Sequence, residues 1–404
     1  MRFIRVLLAL AIVTSISGCI VVEDQEIASP NARAKINPYP IPRDFRGQNQ
    51  SHLILVGVLD SGVDYNHPAL VQQIHFDLDG NGNPRATGWD YTGGDGWPAP
   101  YLARTEDEND KLSDEVREIS RRKRETIKKL LRVEPRLSEF LDETRSVEFE
   151  QLSSAHGTHV AGLLAAGDLR IGLIPYRVLA NSKATGGTDD PDLITRQMQK
   201  SIVGAIEHAA RKGVRVINIS MGFQLPVESQ TPAFEEFAEA FRKALRSHPQ
   251  IAFVVAAGND GKKVATDGSA LPCGMNEPNL VCVTALSRNG KAASFSNQVP
   301  AMLLQLAASG EKMRSAIPWN FCSNEKLMGV SGGMSSHAIE VLAKHLTSTC
   351  FSGERGFADL SGTSMATPVA AHEVAKVMIE DPGMTGAAAI QEVIRKFPRG
   401  IVRR

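Results

Sequence analysis

The chain has 404 residues, and its 45 Lys and Arg are balanced by 45 Asp and Glu. A formal net charge of zero argues against a nucleic-acid binder, which carries a basic excess. The length suits one large domain with additions, or two modest ones.

The chain opens on a targeting pattern. Arg2 and Arg5 are followed by an apolar core from Val6 to Ile16. That core falls short of the roughly 20 apolar residues a bilayer span requires, so residues 1–18 read as a signal peptide. Residues 19–50 hold Pro30, Pro38, Pro40 and Pro42 among mixed polar residues and read as a tether.

The domain is expected over 51–398. His52 to Asp60, HLILVGVLD, is an apolar, β-branched run that predicts a buried parallel strand, with the turn signal Ser61-Gly62-Val63 behind it. Asp60 therefore stands at the C-terminal end of a strand, where open α/β sheets build their sites. In FDLDGNGNPRATGWDY, Asp77, Asp79, Asn81 and Gly82 imitate the first half of a calcium loop. The twelfth position is Gly88 rather than Glu, which excludes an EF-hand and makes a turn-rich loop the default.

Residues 101–150 are dense in charge. Leu112, Val116, Ile119, Ile127, Leu130 and Leu131 recur there at helical spacing, which predicts one long helix or a helical hairpin. The plain reading is a solvated decoration; the sharper one is a lid, a regulatory arm or a docking helix. His156 opens HGTHVAGLLAAG, a packed helix. SIVGAIEHAARKG is a helix stopped at Gly213, and VRVINISMG is the strand after it. Thr231 to Ser247 reads as an amphipathic helix and IAFVVAAGND as a further buried strand ending at Gly258 and Asn259.

Residues 319–356 read as an insertion, rich in Gly and Ser around Ser331 to Ser336. After it, LSGTSMATPVAA sets Ser364 behind a glycine turn at the start of a helical run. Pro368 is expected near the first turn of that run, where a missing N–H is tolerated. FPRGIVRR closes the chain, with 399–404 read as a basic tail. The alternation of helices with apolar strands argues for a parallel α/β sheet.

Three of these motifs carry chemistry together. A serine hydroxyl is a poor nucleophile until a base lies within hydrogen-bond reach and a third group holds that base in the right tautomer. Asp60, His156 and Ser364, in that chain order, supply orienter, base and nucleophile. Asn259 can donate to the oxyanion of a tetrahedral intermediate, with the Ser364 backbone N–H as second donor. His159 and His67 are read as structural histidines. Asp64 is the weaker carboxylate candidate because it stands past the turn.

Four cysteines follow Cys19, and an even number in an exported chain suggests two disulfides. Cys273–Cys282 and Cys322–Cys350 are favoured because each pair brackets one local segment. The spacings are not those of a zinc site.

With the motifs around Asp60, His156, Asn259 and Ser364 and the SMG segment Ser220-Met221-Gly222, the chain resembles the subtilisin-like serine peptidases, the subtilase family, over most of 51–398. The resemblance implies a three-layer α/β/α fold with a mainly parallel central sheet. It implies endopeptidase activity on proteins and peptides through an acyl-enzyme, with no organic cofactor. Ser220, Met221 and Gly222 would pair with extended substrate backbone, and Ala256 to Gly258 would line a wall of the S1 pocket. Many subtilases carry a segment similar to DLDGN…GWD, so calcium stays open.

Secreted subtilases usually carry a folded prodomain, and about 30 residues of tether cannot build one. Folding without a prodomain, or an activator or inhibitor partner, is then expected. The segment Ile16 to Cys19 resembles a bacterial lipobox, which implies acylation of Cys19 and a membrane anchor. Ile20, in place of Asp, points to the outer membrane. A different class of reading also stands: a catalytically silent lipoprotein that binds peptides or partners on the same fold.

Overall fold

The computed structural model describes residues 52–100, 155–179, 190–224, 230–318, 356–397 and 400–402. In chain order these form β1 (Ile54–Asp60), β2 (Asp77–Leu78), β3 (Pro84–Ala86) and β4 (Trp89–Asp90), then helix α1 (155–165) and β5 (Ile171–Arg177). Next come α2 (Pro191–Arg211), β6 (Val216–Ile219), β7 (Phe223–Gln224), α3 (Pro232–Ser247) and β8 (Ala252–Ala256). β9 (Ala270–Leu271), β10 (Leu280–Leu286), β11 (Gln305–Ser309), β12 (Met313–Ala316) and β13 (Phe357–Leu360) follow. The chain closes with α4 (Thr363–Glu380), α5 (Gly386–Lys396) and β14 (Ile401–Val402).

Eight strands form one sheet in the order β14-β11-β10-β8-β6-β1-β5-β4. Every pairing within it is parallel. Such a sheet needs cover on both faces, and its strands are correspondingly apolar on both. β8 shows the division residue by residue. Ala252 and Val254 pack into one core with α1, α4 and α5. Phe253 and Val255 pack into the other, with α2 and α3. The outcome is the expected three-layer α/β/α architecture.

The helices begin where local chemistry starts them. Thr231 caps α3 and Thr385 caps α5 through side-chain oxygens, and proline occupies the first helical position of α2 and α3. In α3, Phe234, Phe237, Phe241, Ala244 and Leu245 recur every three or four residues and are all buried. Burial of each phenyl ring contributes about 1.5–3 kcal/mol.

β1 is central, and the chain leaves it in both directions: to β5 on one side and to β6 on the other. The crevice where the order reverses lies beyond the C-terminal ends of β1 and β6. Asp60 ends β1 there, and Ser220 immediately follows β6.

Three expectations change. α2 starts at Pro191, ten residues before the apolar run that announced it, with Asp190 as its cap. Pro368 lies not in the first turn of α4 but at its sixth residue, inside the helix. The C-terminal tail is corrected in part, because Ile401 and Val402 pair with Ala307 and Ala308 as an edge strand. Cys273 and Cys282 are joined, with Cα atoms 5.2 Å apart. Residues 1–51 with Cys19, the charged segment 101–150, and Cys322 and Cys350 lie outside the described residues.

Candidate active site

Asp60 has no solvent exposure. Its Oδ1 accepts two hydrogen bonds, from the Ser61 N–H at 2.8 Å and from His156 Nδ1 at 2.8 Å. A carboxylate can only accept, so the Nδ1 proton of His156 belongs to this bond and Nε2 keeps its lone pair. That is the tautomer a general base needs. The His156 side chain is 12% exposed. Burial pulls its pKa down, but the negative charge of Asp60 and the hydrogen bond to it outweigh burial and leave it above 6.5.

The motif around His156 explains how it reaches Asp60. A Cβ on Gly157 would collide with the Gly62 carbonyl oxygen, so only glycine lets the start of α1 touch the end of β1. The Gly157 N–H donates to Ser61 Oγ at 3.1 Å, and Thr158 Oγ1 accepts from the Asp64 N–H at 3.0 Å. Asp64 thus sits against α1 through its backbone, while Asp60 holds the imidazole.

His159, one turn further, is fully buried. Its Nε2 faces the carbonyls of Met313 at 2.9 Å and Ala358 at 3.1 Å, which tie α1 to the antiparallel β12–β13 pair. Burial lowers its pKa to about 3. Because the folded pKa lies below the unfolded value, stability is present above 6.5 and is lost as pH falls from 6.5 towards about 3. The expected result is a thermal midpoint that drops across this window, with a shallower drop in His159→Gln, checked by melting curves against pH. His67 is also structural in its contacts: Nε2 donates to the Gly356 carbonyl at 2.9 Å and Nδ1 accepts from the Ala69 N–H at 3.1 Å.

Ser364 is the second residue of α4 and is 9% exposed. Asn259, just past β8, reaches the same helix end. Its Oδ1 accepts from the Thr363 N–H at 2.8 Å and from Thr363 Oγ1 at 3.0 Å, which fixes the amide orientation. Gly362 has φ +156, and a Cβ there would stand 3.5 Å from Asn259 Nδ2 and 3.6 Å from the Ser364 nitrogen. Glycine therefore leaves open a space bordered by both nitrogens, beside a helix N-terminus whose dipole favours negative charge. Replacing Asn259 with alanine is expected to lower kcat by on the order of 10²–10³ with little change in KM, measured by steady-state peptide hydrolysis.

The serine hydroxyl differs from expectation. Ser364 Oγ donates to the Ser220 carbonyl at 2.9 Å, so its single proton does not point to His156. Activation requires that proton to turn towards His156 Nε2, in keeping with the looser geometry of unliganded sites. Ser220 is buried, Met221 is 5% exposed, and a Cβ on Gly222 would lie 3.3 Å from the Leu271 carbonyl. Ala256 ends β8, and the Gly258 N–H donates to Thr363 Oγ1 at 3.1 Å.

Two buried asparagines escaped the motif reading. Asn297 clamps the loop after β8: its Oδ1 accepts from the Asp260 and Lys262 N–H groups, and its Nδ2 donates to the Ala257 carbonyl. Asn218, inside β6, donates to Ser220 Oγ at 2.9 Å. A polar residue within the otherwise apolar VINI strand was the available signal for the second.

The calcium-like loop has other uses for its carboxylates. Asp77 is ion-paired to Lys212 Nζ, with the carboxylate 2.6 Å away, and Asp79 accepts from the Asn81 and Asn83 N–H groups at 2.8 and 2.9 Å. A calcium loop turns such oxygens inward on one ion, so these two side chains do not fit one as they stand. Among the described residues, no group of three or more His, Cys, Asp or Glu is placed to hold a metal ion.

A model of the subtilase family matches residues 51–397, and the chain belongs to that family. It is 30% identical over 169 residues to the major intracellular serine protease of Bacillus subtilis (strain 168), covering 41% of this chain and 47% of that protein. It is 28% identical over 238 residues to subtilisin E of the same organism, covering 59% and 49%. The chain thus spans about half the length of the curated relatives it matches. Solved structures that match include a cold adapted subtilisin-like serine proteinase, with 18% identity, 89% and 88% coverage and a TM-score of 0.47. A lanthipeptide protease matches with 17% identity, 86% and 81% coverage and a TM-score of 0.49.

Proposed function

We propose that this chain is a serine endopeptidase whose nucleophile is Ser364. His156 removes the hydroxyl proton as Ser364 attacks the scissile carbonyl, then returns it to the leaving amine. Asp60 orients the imidazole and stabilises the imidazolium. The Asn259 amide and the Ser364 N–H receive the oxyanion. Substrate lies extended along Ser220 to Gly222, with its P1 side chain against Ala256 to Gly258. No organic cofactor enters these steps.

The observation that supports this most is the 2.8 Å bond from His156 Nδ1 to buried Asp60 at the crevice end of β1. Incubation with a denatured proteome, followed by terminal-peptide mass spectrometry, tests it. New cleavage sites that vanish in Ser364→Ala support endopeptidase activity; sites that persist in that variant refute the assignment.

The resting bond from Ser364 Oγ to Ser220 favours a second reading, in which the chain binds peptides without cleaving them or waits for an activator. Cleavage only after adding envelope extract supports the activator, and peptide binding without cleavage under all conditions supports the silent binder.

We further propose that residues 1–18 direct export and that Cys19 is acylated, so that the domain is held at the bacterial cell envelope, at the outer membrane or cell surface rather than the inner membrane. More than one acyl chain gives stable anchoring. Alkyne-palmitate labelling of the full chain in cells tests this: Cys19→Ala should lose the label and enter the soluble fraction, and retained label would refute it.

A further inference from the structure

Pro368 is the sixth residue of α4. Its nitrogen carries no proton, so the Ser364 carbonyl, four residues earlier, loses the donor a regular α-helix would give it. The vacancy is filled from another element. Ser220 Oγ, just past β6, donates to the Ser364 carbonyl at 3.0 Å. Ser220 is 3% exposed, and its hydroxyl accepts from Asn218 Nδ2 at 2.9 Å. A hydroxyl has one proton, so a donor occupying its lone pair aims that proton at the remaining acceptor. Asn218 therefore sets the direction of the Ser220 bond. Ser364 returns the contact by donating its own hydroxyl to the Ser220 carbonyl.

We propose that Ser220, oriented by Asn218, is a positioning residue for Ser364, supplying the hydrogen bond that Pro368 denies to the Ser364 carbonyl. The inference rests on the peptidase reading above. The geometry gives it a mechanistic sense. Ser364 carries both the attacking hydroxyl and one oxyanion N–H. Without an anchor on its carbonyl, Ser364 can shift within the first turn of α4, and a shift of its Cα misaims both groups together.

A four-protein cycle tests it: wild type, Ser220→Ala, Pro368→Ala and the double variant. Activity is expressed per site titrated with a fluorophosphonate, so that misfolded protein does not count. Ser220→Ala keeps the backbone that pairs with substrate, so KM should hold while kcat falls on the order of tenfold to a hundredfold. Pro368→Ala restores an N–H opposite the Ser364 carbonyl, so the double variant should recover most of that loss. Asn218→Ala should lower kcat in the wild-type background and add nothing in Ser220→Ala. An unchanged kcat in Ser220→Ala, or losses that simply multiply in the double variant, would overturn the inference.

Thermal midpoints of the same four proteins separate the two levels of the argument. Coupled midpoints in a chain that neither labels nor turns over would leave the hydrogen bond standing, and would overturn both the positioning role and the peptidase reading. Turnover in wild type with no coupling in either measurement would keep the peptidase reading and overturn the inference alone.

Discussion

Replacing His156 with alanine is expected to lower kcat against a peptide substrate by about 10⁶-fold, and Ser364→Ala by the same order. Either change disables the activated nucleophile. His156→Ala leaves the buried carboxylate of Asp60 with no base to orient, and Ser364→Ala leaves the oriented base with no hydroxyl to activate. The double variant His156→Ala/Ser364→Ala should therefore be no slower than either single one, within a few-fold. Residual turnover over water, on the order of 10³–10⁴, should survive through Asn259 and substrate binding. Single-turnover assays on a chromogenic peptide measure these differences. Multiplying losses would mean that the two residues act on separate steps.

Asp60→Asn should cost about 10⁴-fold in kcat/KM and should also move the pH profile. The base must be neutral to accept the serine proton, so activity rises as pH passes through its pKa. In wild type the charge of Asp60 holds His156 above 6.5, against the opposing effect of burial. The acid limb should accordingly have its midpoint above that value. Asparagine removes the charge and leaves the burial, so the midpoint should fall below the wild-type one. A second consequence has the opposite dependence on pH. A raised folded pKa means that the Asp60–imidazolium pair stabilises the fold below 6.5, and that this contribution fades as pH rises through the folded pKa. Rate profiles from about pH 5 to about pH 9 for both proteins check the first point. Coincident acid limbs would remove Asp60 from its assigned role.

The strands were the most legible part of the chain. IAFVVAAGND and HLILVGVLD are apolar at consecutive positions because both faces of a parallel sheet are covered, and such runs survive without any periodicity argument. Helix starts were less clear. PDLITRQMQK opens α2 with few apolar residues, yet Asp190 followed by Pro191 is a cap-and-proline signal that could have placed it. The edge strand at Ile401–Val402 was invisible because two residues carry no pattern, and only their pairing to β11 defines them. In the site, Asp60 and His156 were readable from motifs that also hold their supports, Ser61, Gly157 and Thr158. Asn218, Asn297 and the resting bond of Ser364 were not. Asn218 showed as a polar residue in an apolar strand, but its role depends on the Ser220 hydroxyl it orients; Asn297 and the Ser364 bond depend on which distant backbone groups need partners, and that becomes known only once β6, α4 and the loop after β8 meet.

The central claim is that one serine of this chain is activated by one histidine. Intact-mass and peptide-mapping spectrometry after exposure to a fluorophosphonate tests it most directly. The account predicts a single adduct on Ser364 in the wild-type chain and none in His156→Ala. An adduct on another serine, or equal labelling of Ser364 without His156, would contradict it.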